Sequence, residues 1–371
     1  MAYNWKVEWK VVVDGVDMSS AMRPFLIDIE INDKEGASSD TCSLTFDDTD
    51  GQIELPRDGA KVKVSLQGVL KFEGTVDSAR SVGSRGGGRT MRVTAKGFDS
   101  RGKVKQPLTF HKDDASLQTF LTDATKRAGL SSIKIDTEFA DIQRDYWAAE
   151  GESLLHIGER LARELGGTFK IRGDIAVLAR RGEGKSPTGQ SLPTVQGIYG
   201  QNIISWDIAP FKGRKTFTKA RVRFFDRKSA SFKNEDVEFN LDRDVPDATN
   251  VIRTTAADAK QAGEIGDARK REAERNGGEG SVVLDLVVDA QAEGTFVLSG
   301  ARAGVDGKYR IASVRHRADR GGGSTTTLEI KQPSDGAGKD TRKKAKSPSR
   351  AKPDAQAPER DLGEYGPPAS N

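Results

Sequence analysis

The chain has 371 residues, 35% hydrophobic and 31% charged, with 40 glycines. That length exceeds one ordinary domain, and short apolar runs on a polar, turn-rich background predict a folded, mainly β body of two or three domains. Lys and Arg number 59 against 55 Asp and Glu; eight and six of these fall in 333–371, which leaves 51 against 49 in the body and argues against a dedicated nucleic-acid binder, since phosphate contacts need a basic face.

The N-terminus, Met1-Ala-Tyr-Asn-Trp-Lys6, lacks a signal pattern, and no apolar stretch approaches membrane-spanning length. No stable membrane insertion is therefore expected, and synthesis in a cytoplasm is. Residues 1–102 read as a first β-barrel. Val11-Val12-Val13 meets the turn dipeptide Asp14-Gly15, and Ile27, Ile29 and Ile31 alternate onto one face. Further strand runs span Cys42 to Phe46, Lys61 to Leu66, Phe72 to Val82 and Thr90 to Ala95. Cys42, the single cysteine, excludes an intrachain disulfide and a thiolate metal cluster, and reads as a small buried strand residue.

From 103 to 190 the period changes to that of a small α+β insert. Asp114 is positioned to cap a helix carrying Leu117, Phe120, Leu121 and Ala124, with Gly129 past its end. A second helix carries Leu154, Ile157, Leu161 and Leu165 and stops at Gly166-Gly167. Strands are predicted at Ile133 to Ile135, Thr168 to Ile171 and Ile175 to Ala179. Residues 191–332 read as a second barrel, with strand patterns over 203–240, a helical excursion near 255–275, and strands at Ser281 to Val288, Thr295 to Leu298, Tyr309 to Arg317 and Thr325 to Ile330. The Lys-, Pro- and Ser-rich segment 333–371 is expected to be a disordered, flexible tail.

The two barrels share a faint repeat. Phe72-Glu-Gly-Thr-Val-Asp-Ser-Ala-Arg80, Arg85-Gly-Gly-Gly88 and Thr90-Met-Arg-Val93 resemble Asp306-Gly-Lys-Tyr-Arg-Ile-Ala-Ser-Val-Arg315, Arg320-Gly-Gly-Gly323 and Thr325-Thr-Thr-Leu328 at a constant offset of 235. Val76 falls on Ile311, Ser78 on Ser313 and Arg80 on Arg315. Hairpins with glycine-rich loops resemble one another in any case, but a true duplication has a geometric consequence. Three subunits would then present six similar units, so a three-fold object can meet a six-fold one.

At these residues the chain resembles the late control D family of phage tail proteins, the baseplate hub family, over roughly residues 5–332. The resemblance is carried by Gly294-Thr-Phe-Val-Leu-Ser-Gly300, Asp306-Gly-Lys-Tyr-Arg-Ile311, Val314-Arg-His316 and Gly322-Gly-Ser-Thr-Thr-Thr-Leu328, with Asp145-Tyr-Trp147 and the following helix in the middle domain. It implies structural roles for Gly300, Asp306, Gly307, Tyr309, His316, Gly322 and Thr326. It also implies a homotrimer that forms a ring of six barrels in the virion tail, assembled in the host cytoplasm. Tail tube protein would bind above and spike proteins below, and DNA would pass through the lumen without sequence recognition.

No catalytic, cofactor or metal site is read from the chain. His111, His156 and His316 lack metal-ligand spacing. Gly83-Ser-Arg-Gly-Gly-Gly-Arg89 precedes a strand and lacks the Gly-Lys-Ser/Thr of a phosphate loop. Asp47-Asp-Thr-Asp-Gly51 lacks the closing Glu of a calcium loop. Lys219, Arg221 and Arg223 share one strand face opposite Ala220, Val222 and Phe224; the ordinary account is an exposed face of a half-buried sheet, and the sharper one a subunit seam or lumen lining. The rival to a structural hub is a tail-associated peptidoglycan hydrolase, and a weaker third reading is a carbohydrate-binding module.

Overall fold

The computed structural model describes residues 6–36, 39–186, 190–211, 217–239, 247–340 and 342. In chain order the first β unit holds β1 (Trp9–Val13), β2 (Val16–Asp17), the short α1 (Ser19–Met22), β3 (Leu26–Lys34), β4 (Thr41–Asp47), β5 (Lys61–Leu66), β6 (Val69–Ser84) and β7 (Gly88–Lys96). The insert holds β8 (Leu108–Ser116), α2 (Leu117–Arg127), β9 (Ser132–Ile135), α3 (Thr137–Ala140), β10 (Gln143–Glu152), α4 (Leu154–Leu165), β11 (Gly167–Arg172) and β12 (Ile175–Arg180). The remainder holds β13 (Thr194–Ile198), β14 (Ile203–Ala209), β15 (Lys219–Asp226), β16 (Ser231–Glu238), β17 (Thr249–Ala256), α5 (Ala259–Arg275), β18 (Glu279–Asp285), β19 (Thr295–Ser299), β20 (Gly307–Asp319) and β21 (Gly323–Ser334).

Alternation makes the strands. Cys42, Leu44 and Phe46 point inward from β4, and Val62, Val64 and Leu66 from β5, each full burial contributing about 1.5–3 kcal/mol for a large apolar side chain. The expected mainly β body with an α+β insert is present, and its two β units share one 13-stranded sheet through β3 and β20. Each unit wraps its own core. The first is built on Val11, Ile29, Ile31, Val64 and Phe72, the second on Val282, Phe296, Tyr309, Ile311 and Leu328. Ile27 departs from its expected face: the pairing of β3 with β4 slips between Leu26 and Asp28, so Leu26 is buried and Ile27 only half-buried.

The repeat is present strand for strand. Along the β6–β7 hairpin Val76 pairs Ala95, Ser78 pairs Thr94 and Ser84 pairs Gly88; along β20–β21 Ile311 pairs Ile330, Ser313 pairs Glu329 and Asp319 pairs Gly323, all displaced by 235. Both hairpins slip register at the same place, between Val76 and Ser78 and between Ile311 and Ser313. Both turns place a glycine in the left-handed region, Gly88 (φ 73°) and Gly323 (φ 94°). The likeness extends beyond the hairpin. β4 on β7 matches β18 on β21, Thr41 standing where Glu279 stands, a displacement of 238. β3 on β4 matches β14 on β18, Leu26 falling on Ile203 at 177, with the same slip after each. β5 on β6 matches β19 on β20 at 234. The repeat ends there, because β1 joins β5 antiparallel whereas β13 joins β19 parallel.

The insert packs α2 and α4 around Phe120, Leu121, Ile157, Leu161, Phe169 and Trp147. Ser116, not Asp114, caps α2, its hydroxyl accepting the Thr119 N–H. The chain is still paired to β10 at Asp113, Ala115 and Ser116, so no helix can start earlier, and Asp114 sits at φ 44° inside β8. The 255–275 excursion is larger than its helix: β16, β15 and β17 form a separate three-stranded sheet, with Val222, Phe224, Ala256, Ala262 and Ile265 forming its small core with α5. Gly266, a poor helix former, is required here, since a Cβ would lie 2.4 Å from Val237. The C-terminal segment also begins later than expected. Ala337 is buried against the second core and the Gly338 N–H donates to the Gly304 carbonyl; residues 341 and 343–371 of the predicted tail lie outside the described residues.

A buried ionic cluster ties insert to both β units. Lys170 Nζ on β11 donates to Asp33 and, at 2.6 Å, to Asp40, while Arg172 Nε reaches Asp40 Oδ2 at 2.9 Å. The Ala292 N–H, on the β18–β19 connection, donates to Asp33 Oδ2 at 3.0 Å. Burial opposes ionisation of Asp33, but Lys170 and Arg172 outweigh it and hold the carboxyl well below its usual range. Burial, then the charge of Asp33, push Asp40 up. Lys170→Met strands two carboxylates on Arg172 and is expected to cost about 3–5 kcal/mol at neutral pH. Urea unfolding should show that loss, shrinking in acid as one carboxyl takes a proton.

Candidate assembly surfaces

The residues singled out by the family resemblance build turns and junctions. Asp306 accepts from the backbone N–H groups of Gly300, Ala301 and Arg302 and so shapes the loop before β20. Gly307 lies where a Cβ would be 2.6 Å from the Ala337 nitrogen, which allows the 334–337 segment to cross it. Tyr309 is buried and donates to the Val305 carbonyl; burial, then Asp306, push its hydroxyl up to about 12. Gly322 donates its N–H to Asp319 in the hairpin turn.

His316 and Thr326 face each other across β20 and β21 and are both buried. His316 Nε2 lies 3.3 Å from the Ala290 carbonyl, which can only accept, so the proton sits on Nε2. Nδ1 then accepts from the Thr326 hydroxyl at 3.1 Å, and that oxygen accepts the Val287 N–H at 2.9 Å. This neutral relay pins the β18–β19 connection onto the hairpin. Burial and the nearby Lys71 ammonium lower the pKa of His316 to about 4.

The charged strand lies elsewhere. Lys219, Arg221 and Arg223 sit on β15, in the excursion sheet rather than the shared sheet. Arg221 makes a two-pronged pair with Asp236 on β16, Nε–Oδ1 2.7 Å and Nη2–Oδ2 2.6 Å. Arg223 stacks its guanidinium 3.9 Å from the centre of the Phe232 ring, and Lys219 stands opposite Glu238. The face is thus engaged by its own hairpin. Beside it, a cleft of about 630 Å³ runs between β10, α4 and α5. Three of its carboxylates are held in ion pairs with arginines that also line it: Glu152 with Arg160, and Glu164 and Glu264 with Arg144. His111 stacks on Tyr146 and His156 lies beside Glu152, both exposed. Among the described residues no group of three His, Cys, Asp or Glu is arranged to hold a metal ion, and no helix is long and apolar enough to cross a membrane.

Two strand edges stand out that the sequence reading did not single out. β6 pairs β5 through residues 69–75, but beyond the slip its Ser78–Ser84 stretch pairs β7 alone. β14 pairs β18 alone. Among the described residues no strand covers the second edge of either. Both carry outward apolar side chains: Val82 on β6 is 56% exposed, and on or beside β14 Tyr199, Ile204 and Phe211 are 59%, 55% and 68% exposed. Trp206, in edge contact with Tyr199, is also exposed. An apolar side chain in the middle of a polar hairpin, Val82, was the available signal.

No family model matches the chain. Among curated proteins it is similar to the probable baseplate hub protein of Escherichia phage P2, 24% identical over 193 residues, which cover 51% of this chain and 49% of that protein. The probable baseplate hub protein of Escherichia phage 186 is 24% identical over 188 residues, covering 49% and 47%. The chain thus aligns with about half the length of the curated relatives it matches. Among solved structures it is similar to the 43 kDa tail protein of prophage MuSo2 from Shewanella oneidensis, with TM-score 0.65, 16% identity and coverage of 88% and 98%. The tail protein of Neisseria meningitidis gives TM-score 0.64, 14% identity and coverage of 88% and 96%. The resemblance to hub proteins read in the sequence is met by these curated names, and the fold is that of tail proteins.

The His316 relay makes stability depend on pH. The unfolded chain binds a proton near pH 6.5 and the folded chain only near 4, so the relay's contribution is full above pH 6.5 and is lost as pH falls from 6.5 to 4. The shift corresponds to about 3 kcal/mol. Urea unfolding at pH 7 and pH 4 should show His316→Gln losing that part of the pH dependence; equal slopes for the two proteins would contradict it.

Proposed function

We propose that the chain is a structural hub subunit of a phage-type tail, three copies of which close into a ring of six similar β units joining the tail tube to the tip spike. The observation that carries this reading is the repeat of five strands with matching pairings and matching slips. A chain that holds one sheet unit twice lets three molecules present six equivalent surfaces, which suits a junction between a six-fold tube and a three-fold spike. The curated relatives named as hub proteins support the tail role.

The mechanism is mechanical. The ring surrounds a lumen through which DNA passes without being read, and the near-neutral body is consistent with passage rather than capture. The hydrolase alternative has less support, because the curated relatives are named as hub proteins and three carboxylates of the mixed-charge cleft, Glu152, Glu164 and Glu264, are each committed to an arginine.

Light scattering of the purified full-length protein is expected to give three times the chain mass, and a persistent monomer would contradict the ring. Because Arg221 and Arg223 are engaged within their own hairpin, the R221A/R223A protein should keep that mass. Loss of the trimer in that variant would place them at the seam.

A further inference from the structure

We infer that copies of this chain join by strand addition, the Ser78–Ser84 edge of β6 in one copy pairing antiparallel with β14 of the next, in a register already written inside the chain. The inference rests on the ring proposed above and names its seam. The template is the internal junction of the two β units, where β20 pairs β3 from Ser313 opposite Lys34 to Asp319 opposite Asp28. Under the repeat, β20 corresponds to β6 and β3 to β14. Among the described residues, the partner that β20 finds in β3 is therefore one that β6 lacks, and the partner that β3 finds in β20 is one that β14 lacks. Carrying the register across sets Ser84 opposite Ser205, Gly83 opposite Trp206, Val82 opposite Asp207, Ser81 opposite Ile208 and Arg80 opposite Ala209.

The chemistry of the two edges agrees. The internal junction is bounded by the Arg320 N–H donating to the Ile27 carbonyl and the Glu35 N–H donating to the Ala312 carbonyl, both 2.9 Å. Antiparallel alternation then turns the backbone N–H and C=O groups of Ile29 and Ile31 toward β20, and by correspondence those of Trp206 and Ile208 toward the open edge of β14, with the backbone groups of Ser81 and Gly83 meeting them from β6. Pro210 takes the place of Asp33 and withholds one donor, so the seam ends there. Side chains fit as well. In the template Ala318 is fully buried in the first core beside Ile29. In the seam Gly83 takes its place, leaving room for the bulkier Trp206, which is exposed in the single chain. Across the template Arg315 lies 3.7 Å from Glu30; the corresponding pair is Arg80 of one copy and Asp207 of the next. The occupant of each edge is thus a second copy of this chain, complementary in hydrogen bonding, apolar surface and charge.

Cysteine pairs test the register. Val82 and Asp207 would form a pair without hydrogen bonds, where Cα atoms stand about 4.5 Å apart and a disulfide can close. Oxidised V82C/D207C protein is expected to run as covalent dimers and trimers on a non-reducing gel, collapsing to monomer with thiol, while V82C/S205C, about 7–8 Å apart, links several-fold less. The native Cys42 is buried and its thiol is pushed up, so it stays out of the reaction. A trimeric wild type whose V82C/D207C variant stays unlinked, or links no better than V82C/S205C, overturns the seam and leaves the ring standing. A monomeric wild type with no linking overturns both. Charge exchange gives an independent reading: R80E should lower the trimer fraction several-fold and R80E/D207R restore it, and failure of the second change to rescue the first counts against the seam.

Discussion

The pairing of β3 with β20 is the constraint on which the rest of the molecule depends. Seven residue pairs join the two β units into one sheet, and a sheet transmits a fixed twist and spacing from strand to strand. The orientation of one unit relative to the other is therefore set by backbone hydrogen bonds, not by a flexible linker. Ala318 lies in the core of the unit to which it does not belong in sequence, so the first core is not complete without the second unit. A head-to-tail step repeated between copies makes a ring where its rotation closes, and the ring proposed above repeats between chains the step that each chain performs once internally.

The ionic cluster stands beside this junction. Asp33 is on β3, Lys170 and Arg172 come from the insert, and Ala292 from the connection that His316 pins down. Buried ion pairs contribute little net stability compared with apolar packing, but they are costly to leave unpaired. Their value here is in geometry, because slipping either β unit by one residue would separate Lys170 from the largely buried carboxylates of Asp33 and Asp40. Residues marked by the family resemblance, such as Asp306, Gly307 and Thr326, are likewise engaged in turns, a chain crossing and the His316 relay.

Part of this was legible in the sequence and part was not, for physical reasons. The β6–β7 and β20–β21 hairpins share Gly-rich turns and uninterrupted strands, so one offset of 235 covers both arms. The matches of β4 with β18 and β3 with β14 were hidden because their offsets, 238 and 177, differ. The excursion of β15, β16, β17 and α5 interrupts the connection between β14 and β18, whereas only residues 35–40 separate β3 from β4. Strands β8 and β10 escaped notice since their burial does not alternate cleanly, even though Trp147 is buried within β10. The open edges were invisible because pairing, not composition, decides which strand is left without a neighbour.

End-on electron-microscope images of the purified assembly test the central claim most directly, through their rotational symmetry. Doubling of the β unit predicts a ring with a central opening, strong six-fold modulation in its wall and a weaker three-fold component from the insert and excursion. A wall with three-fold modulation alone, or with a different symmetry, would contradict it.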